Sequence, residues 1–190
     1  FWEVFRAAEC TSFAGVPYLY QILHRLNPDR LNVPLLNTMT QAGGKMDPKL
    51  IARFSDWIAN RGGRFFVMYG QTEATARISI LTPDALPEKP ASVGKPVPGG
   101  RFSIQIDGAK LSEPNQTGEL IYTGPNVMKG YAATRDYQSR DDTLGGVRAT
   151  GDLPFPEHEA SRLTVGRANR AAQLFGIPVT ADAQRRMSST

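Results

Sequence analysis

The apolar run Phe65-Phe66-Val67-Met68, stopped by Tyr69-Gly70, is the stretch that most narrows what this chain can fold into. Four apolar residues in a row, with no polar alternation, read as a strand buried on both faces, the kind found in parallel sheets. At Gly70 the backbone can turn sharply and lie bare against a ligand. Gln71, Thr72 and Glu73 follow at once, an amide, a hydroxyl and a carboxylate just past the strand's carboxyl end. In open α/β sheets ligands bind along that rim. The Thr72 hydroxyl can bond a phosphate oxygen, Glu73 can hold a hard cation such as Mg2+, and the Tyr69 ring can stack on a base. The same residues equally suit a strand, a turn and a helix capped by Thr72.

The chain before this stretch repeats its logic. Trp2, Phe5 and Ala8 or Glu9 share a helical face, which predicts an amphipathic helix over 1–10. Thr11–Val16 is a short strand. Pro17 then opens a helix at its first turn, where its missing N–H costs nothing, with Leu19, Ile22, Leu23 and Leu26 as the apolar stripe to residue 26. His24 on that helix has no second ligand nearby and reads as structural or exposed. Leu35–Thr40 is the next strand, ending in Gln41-Ala42-Gly43-Gly44-Lys45, where two glycines permit close approach to a flat ligand or simply link strand to helix. Asp47-Pro48 reads as a cap and first helical residue. The helix they start runs to about Asn60 on Leu50, Ile51, Phe54, Trp57 and Ile58, and Arg61-Gly62-Gly63 stops it. Strand, helix, strand, helix, strand is a parallel α/β pattern. It makes Gly43-Gly44 and Gly70–Glu73 neighbours at the carboxyl ends of successive strands.

From about residue 81 the prolines from Pro83 to Pro98 leave no room for helices. Ser92-Val93-Gly94-Lys95-Pro96 is not a P-loop, since Pro96 stands where Ser or Thr would meet magnesium. Arg101–Ile106 and Glu119–Tyr122 alternate at period two, separated by turn residues at Asp107-Gly108, Pro114-Asn115 and Gly124-Pro125. The fold class expected is α/β: a parallel sheet with flanking helices, followed by a small antiparallel, barrel-like β unit. The divisions expected are a partial α/β subdomain over 1–90, the β unit over 91–165, and a hinge with a divergent tail over 166–190.

Charge and cysteine content narrow the function classes. Twenty-two basic and 18 acidic residues give a net charge of +4, scattered without a basic run, which argues against a nucleic-acid surface. The single Cys10 excludes an internal disulfide framework and a thiolate zinc cluster, and suits a reducing cytoplasm. No apolar run reaches the length of a membrane span.

Tyr69-Gly70-Gln71-Thr72-Glu73 resembles the Tyr-Gly-x-Thr-Glu stretch of the adenylate-forming enzymes: acyl-CoA synthetases, aryl-CoA ligases and adenylation domains. Four further stretches resemble that family in order: Gly15-Val16-Pro17 before an apolar helix, Ser92–Pro96, Thr117-Gly118-Glu119-Leu120 with Gly124 and Gly130-Tyr131, and Thr150-Gly151-Asp152-Leu153 followed by Gly166-Arg167. The resemblance covers residues 10–179 or so. It implies an ATP-dependent ligase that joins a small carboxylic acid to AMP and then to a thiol, of CoA or of the phosphopantetheine on an acyl-carrier protein. It also implies Glu73 at Mg2+, Thr72 at the α-phosphate, and Tyr69, Gly43 and Gly44 at the adenine. Lys45, Gly70 and Gln71 then belong to the same ATP/AMP site, Asp152 lies at the ribose, and Arg167 at ribose or phosphate. By the residues alone, Asp152 is a turn carboxylate and Arg167 a surface cation. The family's phosphate loop and its catalytic Lys are not in the sequence, so the expectation is a fragment with negligible activity of its own. Asn169, Gln173 and Pro178 depart from the family's hinge pattern, which leaves a noncatalytic nucleotide-binding or interaction module as the alternative.

Overall fold

The computed structural model describes the backbone of residues 1–106, 109–110, 118–132, 142–156, 163–167, 173–174 and 177–178, and side-chain surroundings within 1–105, 118–132 and 142–152. Asn169, Thr117, the turn residues at 107–108 and 114–115, and the tail from Ala181 lie outside the described residues, as do the side chains of Arg167, Gln173 and Pro178.

The α/β half forms as its patterning predicts. Strands β1 (Ser12–Gly15), β2 (Thr38–Gln41) and β3 (Arg64–Tyr69) are parallel neighbours, linked by α2 (Pro17–Arg25) and α3 (Pro48–Ala59), with α1 (Trp2–Ala7) ahead of them. Phe13, Met39 and Phe65 stand in one row across the three strands. Tyr20 of α2 and Phe54 and Ile58 of α3, all fully buried, cover that row. The Tyr20 ring meets those of Phe54 and Phe65 edge-on at 5.0 and 5.4 Å, an arrangement that suits the ring quadrupoles. Its hydroxyl donates to the Thr40 carbonyl at 2.7 Å, so its buried polar end is satisfied. Asp47 caps α3 by accepting the Lys49 N–H at 2.8 Å.

Four expectations shift. The helix expected over 1–10 stops at Ala7, because Glu9 takes a positive φ of 52° and turns the chain out. In α2 the expected stripe holds at Leu23, buried, and Ile22, half-buried, but not at Leu19 and Leu26, which are 40% and 56% exposed; the buried face turns toward Tyr20, whose long ring reaches the core. The second strand begins at Thr38 rather than Leu35, because a turn closed by the Leu36 N–H on the Val33 carbonyl buries both side chains first. A short 3-10 turn, Pro83–Ala85, interrupts the proline-rich stretch, in which no α-helix forms. Proline fits there as the first residue of a turn.

The first sheet does not end with its parallel strands. Strands β4 (Ser79–Leu81) and β5 (Lys95–Pro96) extend it antiparallel beyond β3. After it come β6 (Arg101–Ile106), β7 (Ala109–Lys110), β8 (Glu119–Thr123) and β9 (Val147–Ala149), an antiparallel sheet in the order β7-β6-β8-β9. A hairpin of β10 (Asp152–Pro156) and β11 (Leu163–Arg167) and a two-stranded piece, β12 (Gln173–Leu174) with β13 (Ile177–Pro178), follow. Leu120, Ile121 and Tyr122 are buried in β8, and Tyr122 packs with Ala74, Ile78 and Val127 in a second core. That core joins the loop after β3 to the second sheet. Among the described residues, no helix is long and apolar enough to cross a membrane.

Candidate nucleotide site at the strand ends

Residues 70–78 fold as a closed loop between two antiparallel strands. The alternative of a helix capped by Thr72 does not occur: Thr72–Ala74 is one 3-10 turn with Gln71 at its cap and no side-chain capping bond. The Gln71 carbonyl accepts from the N–H groups of Ala74 and Ala76, both at 3.0 Å, and Ile78 N–H returns to the Tyr69 carbonyl at 2.9 Å. Thr75 and Ala76 take left-handed φ values of 51° and 63° to complete the reversal. A Cβ on Gly70 would lie 2.3 Å from the Ala76 carbonyl oxygen, so only glycine fits the neck of this loop.

This loop is bonded side chain by side chain to the run Arg148–Asp152, some eighty residues later. Tyr69 Oη donates to Asp152 Oδ2 at 2.6 Å. Gln71 Nε2 donates to the Thr150 carbonyl at 2.6 Å, and its Oε1 accepts from Arg148 Nε at 3.3 Å. Arg148 also pairs with Glu73 Oε1 at 3.3 Å. Asp152 is 6% exposed, a buried strand residue rather than an open-turn carboxylate. Its N–H donates to Thr150 Oγ1 at 3.2 Å, and that hydroxyl is itself anchored on the Leu120 carbonyl at 2.8 Å.

Glu73 receives a second donor, Tyr131 Oη at 2.5 Å, on the same oxygen that Arg148 approaches. The Tyr131 hydrogen bond first, then the backbone N–H of Glu73 and the Arg148 charge, hold this carboxyl below the usual carboxylate range against the upward pull of partial burial. The Tyr131 hydroxyl is pushed up by the same bond. Among the described residues no three acidic, His or Cys side chains gather as a protein-built metal cage. A single ionised carboxylate whose two contacts share Oε1 suits Mg2+, which is commonly held by one or two carboxylates plus substrate phosphates.

The double-glycine loop occupies the same rim. The β2–β3 register ends at Gln41 against Val67, so Gly43 follows the end of β2 on the same rim where Tyr69 closes β3. Gly43 has a φ of 82°, and a Cβ there would come within 3.2 Å of Val16 Cγ1. Gln41 is buried and ties the loop back by donating to the Gly44 carbonyl at 2.7 Å. Gly43, Gly44, Lys45 and Thr72 are exposed. The backbone of Arg167 pairs with that of Asp152 across the β10–β11 hairpin. A surface cavity of about 530 Å3, lined by Asp29, Arg53, Asp56, Trp57 and Arg61, lies beside the end of α3, at the opposite ends of the strands from these loops.

Sequence reasoning missed two bonding hubs of this site. Arg148 stands two residues ahead of the Thr150-Gly151-Asp152 stretch and Asn126 directly after Gly124-Pro125, and neither was singled out. Asn126 Nδ2 donates to the carbonyls of Ala74 and Arg77 at 2.8 and 2.7 Å, and its Oδ1 accepts from Tyr122 Oη at 2.6 Å. The one sequence hint for Asn126 was its place after Gly124-Pro125, which marks a turn but not its partners.

Residues 1–132 match the sequence model of the AMP-binding enzyme family. The chain is 29% identical over 191 residues to an oxalate–CoA ligase of Arabidopsis thaliana, an alignment covering 96% of this chain and 36% of that ligase. Its backbone superimposes on the o-succinylbenzoate CoA synthetase of Bacillus subtilis in complex with the acyl-adenylate OSB-AMP, with a TM-score of 0.68 and 27% identity over 86% of this chain and 32% of that one. The same synthetase in complex with ATP and magnesium ion gives a TM-score of 0.65 at 27% identity, again over 86% of this chain and 32% of that one. The chain thus spans about a third of the length of the oxalate–CoA ligase and still less of several other curated relatives.

Proposed function

Since the chain belongs to the AMP-binding enzyme family, we propose that it is the nucleotide-holding part of an ATP-dependent ligase that joins a small carboxylic acid to a thiol. In the first step the acid's carboxylate attacks the α-phosphorus of ATP, and pyrophosphate leaves as the acyl-adenylate forms. In the second, a thiol of CoA or of a carrier's phosphopantetheine attacks the acyl carbon. AMP then leaves with the electrons of the broken acyl–phosphate bond. The synthetase solved with OSB-AMP and with ATP and magnesium supports this reading. The bonding of Tyr69 to Asp152, from strand ends 83 positions apart, is the observation within this chain that carries it.

Asp152 accepts the ribose hydroxyls, sharing its carboxylate with the Tyr69 hydroxyl. The Tyr69 ring and the bare backbone of Gly43, Gly44 and Gly70 flank the adenine. Thr72, exposed on its turn, donates to the α-phosphate; Gln71 and Lys45 border the nucleotide, and Arg167 meets ribose or phosphate through its planar fork. Glu73 would hold Mg2+, which would supply charge neutralisation at the phosphates. The chain's own share of catalysis is positioning and electrostatic stabilisation. The remainder of the ligase, and a reducing cytoplasmic setting consistent with the lone Cys10, belong to the same proposal.

The decisive experiment separates the half-reactions in a polypeptide long enough to carry both. Pyrophosphate exchange reports adenylation, and single-turnover thiolation of a pre-made acyl-adenylate reports transfer. Glu73→Gln should depress the first and spare the second. Equal loss in both makes Glu73 a support of the fold and removes its metal assignment.

A further inference from the structure

Arg148 is the charged group nearest Glu73 among the described residues, and nothing in the reading above gives it a task. Its guanidinium reaches from β9 to two residues of the opposite loop that flank Thr72, Gln71 Oε1 through Nε and Glu73 Oε1 through Nη2, both at 3.3 Å. Gln71 is fixed from its other end by the Thr150 carbonyl, two residues along from Arg148 itself. Glu73 is fixed from a third segment by Tyr131 Oη. Both members of the ion pair are only about a quarter exposed, at 24% and 22%, so solvent screens the pair less than a surface contact.

We infer that Arg148 is a positioning residue: its planar fork, assisted by Tyr131, sets the orientation of the Glu73 carboxylate and locks the Gln71–Glu73 turn onto β9. This rests on the proposed metal role of Glu73. A guanidinium suits the task because its donors are fixed in one rigid plane and spread over three nitrogens, whereas the three donors of Lys rotate about a single nitrogen on a flexible stem. Both donors meet the same carboxylate oxygen, Glu73 Oε1. Without the fork, Glu73 would rotate on its own flexible stem, and a metal bound through one carboxylate is sensitive to that carboxylate's aim.

The test uses Arg148→Met, which keeps an unbranched side chain of similar reach, Arg148→Lys, and Tyr131→Phe. Binding of Mn2+ with a non-hydrolysable ATP analogue is followed by electron paramagnetic resonance, beside the pH profile of pyrophosphate exchange. Arg148→Met should weaken metal–nucleotide binding about tenfold, near the lower end of what one hydrogen bond to a charged group is worth. It should also shift the acid limb of the profile to higher pH. Arg148→Lys should restore part of the metal binding, since it keeps the charge beside Glu73 and loses the bridge to Gln71. Tyr131→Phe should move the acid limb in the same direction. If Arg148→Met does not fold, the milder pair, Arg148→Lys and Tyr131→Phe, decides by the same two readouts. Unchanged Mn2+ binding and an unchanged acid limb in these variants, alongside loss of both in Glu73→Gln, overturn the positioning role and leave the metal site standing. No effect of Glu73→Gln on Mn2+ binding removes the metal site itself.

Discussion

Glu73 and Asp152 sit in one network, and under the roles proposed for them their substitutions should separate metal-dependent chemistry from nucleotide binding. Glu73→Gln keeps the shape and removes the charge, so its loss should appear in the metal-dependent half-reaction. Asp152→Asn should mainly raise the KM for ATP, because ribose contacts are made alike in ground and transition states. A hydrogen bond to a charged group is worth about 1.5–3 kcal/mol, or roughly one to two orders of magnitude in affinity. Acidity gives a further check. The folded-state pKa of Glu73 is lowered, so the stabilisation from its contacts is fully present above the unfolded carboxyl's value. It is lost as pH falls through the lowered folded one. Wild type and Glu73→Gln should therefore differ in urea midpoint at neutral pH and converge only in acid below the usual carboxylate range. A constant difference across that range would mean that the carboxylate's charge contributes nothing. Tyr69, Gln71, Glu73 and Asp152 were singled out in the sequence, Asp152 only through the family resemblance, and the structure brings all four into one bonding network. Arg148 was not legible as a partner: a cation reveals its acceptors only when two distant segments are folded together.

At the level of elements, the parallel strands and their helices could be read from apolar spacing, capping residues and glycine stops. Asp47-Pro48 and Gly62-Gly63 bound α3 closely, as local signals do. The return strand β4 was not anticipated, since Ser79-Ile80-Leu81 is too short to show a period. The loop that joins β3 to β4 is the element on which the site depends, and Gly70 is its neck. Gly70→Ala sets a methyl group against the Ala76 carbonyl at 2.3 Å, backbone against backbone, where no side chain can move aside. It should cost about 1–3 kcal/mol by overpacking and weaken nucleotide binding with it. Asp47→Ala removes one capping bond at the start of α3 and should cost only about 1 kcal/mol, with nucleotide affinity unchanged. Urea unfolding and a nucleotide titration on both variants distinguish a loop that shapes the site from general softening; equal loss of binding in the two would favour the latter.

At the scale of the molecule, among the described residues, the loop after β3 joins two sheets of different construction by bonding both to the turn that follows β8 and to the run Arg148–Asp152. Asn126 sits at that join. Its amide donates to the carbonyls of Ala74 and Arg77 on the first side, and its oxygen accepts from the buried Tyr122 on the second. Thr75 Oγ1 adds a bond to the Asn126 carbonyl at 2.7 Å. Such a join is invisible in one sequence, because its value lies in complementarity between segments about fifty residues apart. The side chain uses both donors and its acceptor, so the sign of its contribution can be predicted. Asn126→Ala abandons two carbonyls and one hydroxyl. Asn126→Asp keeps the bond from Tyr122 but turns a carboxylate oxygen toward two carbonyl oxygens with no proton between them. An unsatisfied buried group costs about 1–3 kcal/mol, and more when charged. Asn126→Asp should therefore be the more destabilising of the two despite being closer in shape, and its penalty should shrink as pH falls and the carboxylate gains a proton able to donate. Urea unfolding of both variants at neutral and acidic pH reads this directly. Equal penalties, or a larger one for alanine, would mean that Asn126 acts by filling space, and that the second core around Tyr122 joins the sheets without it.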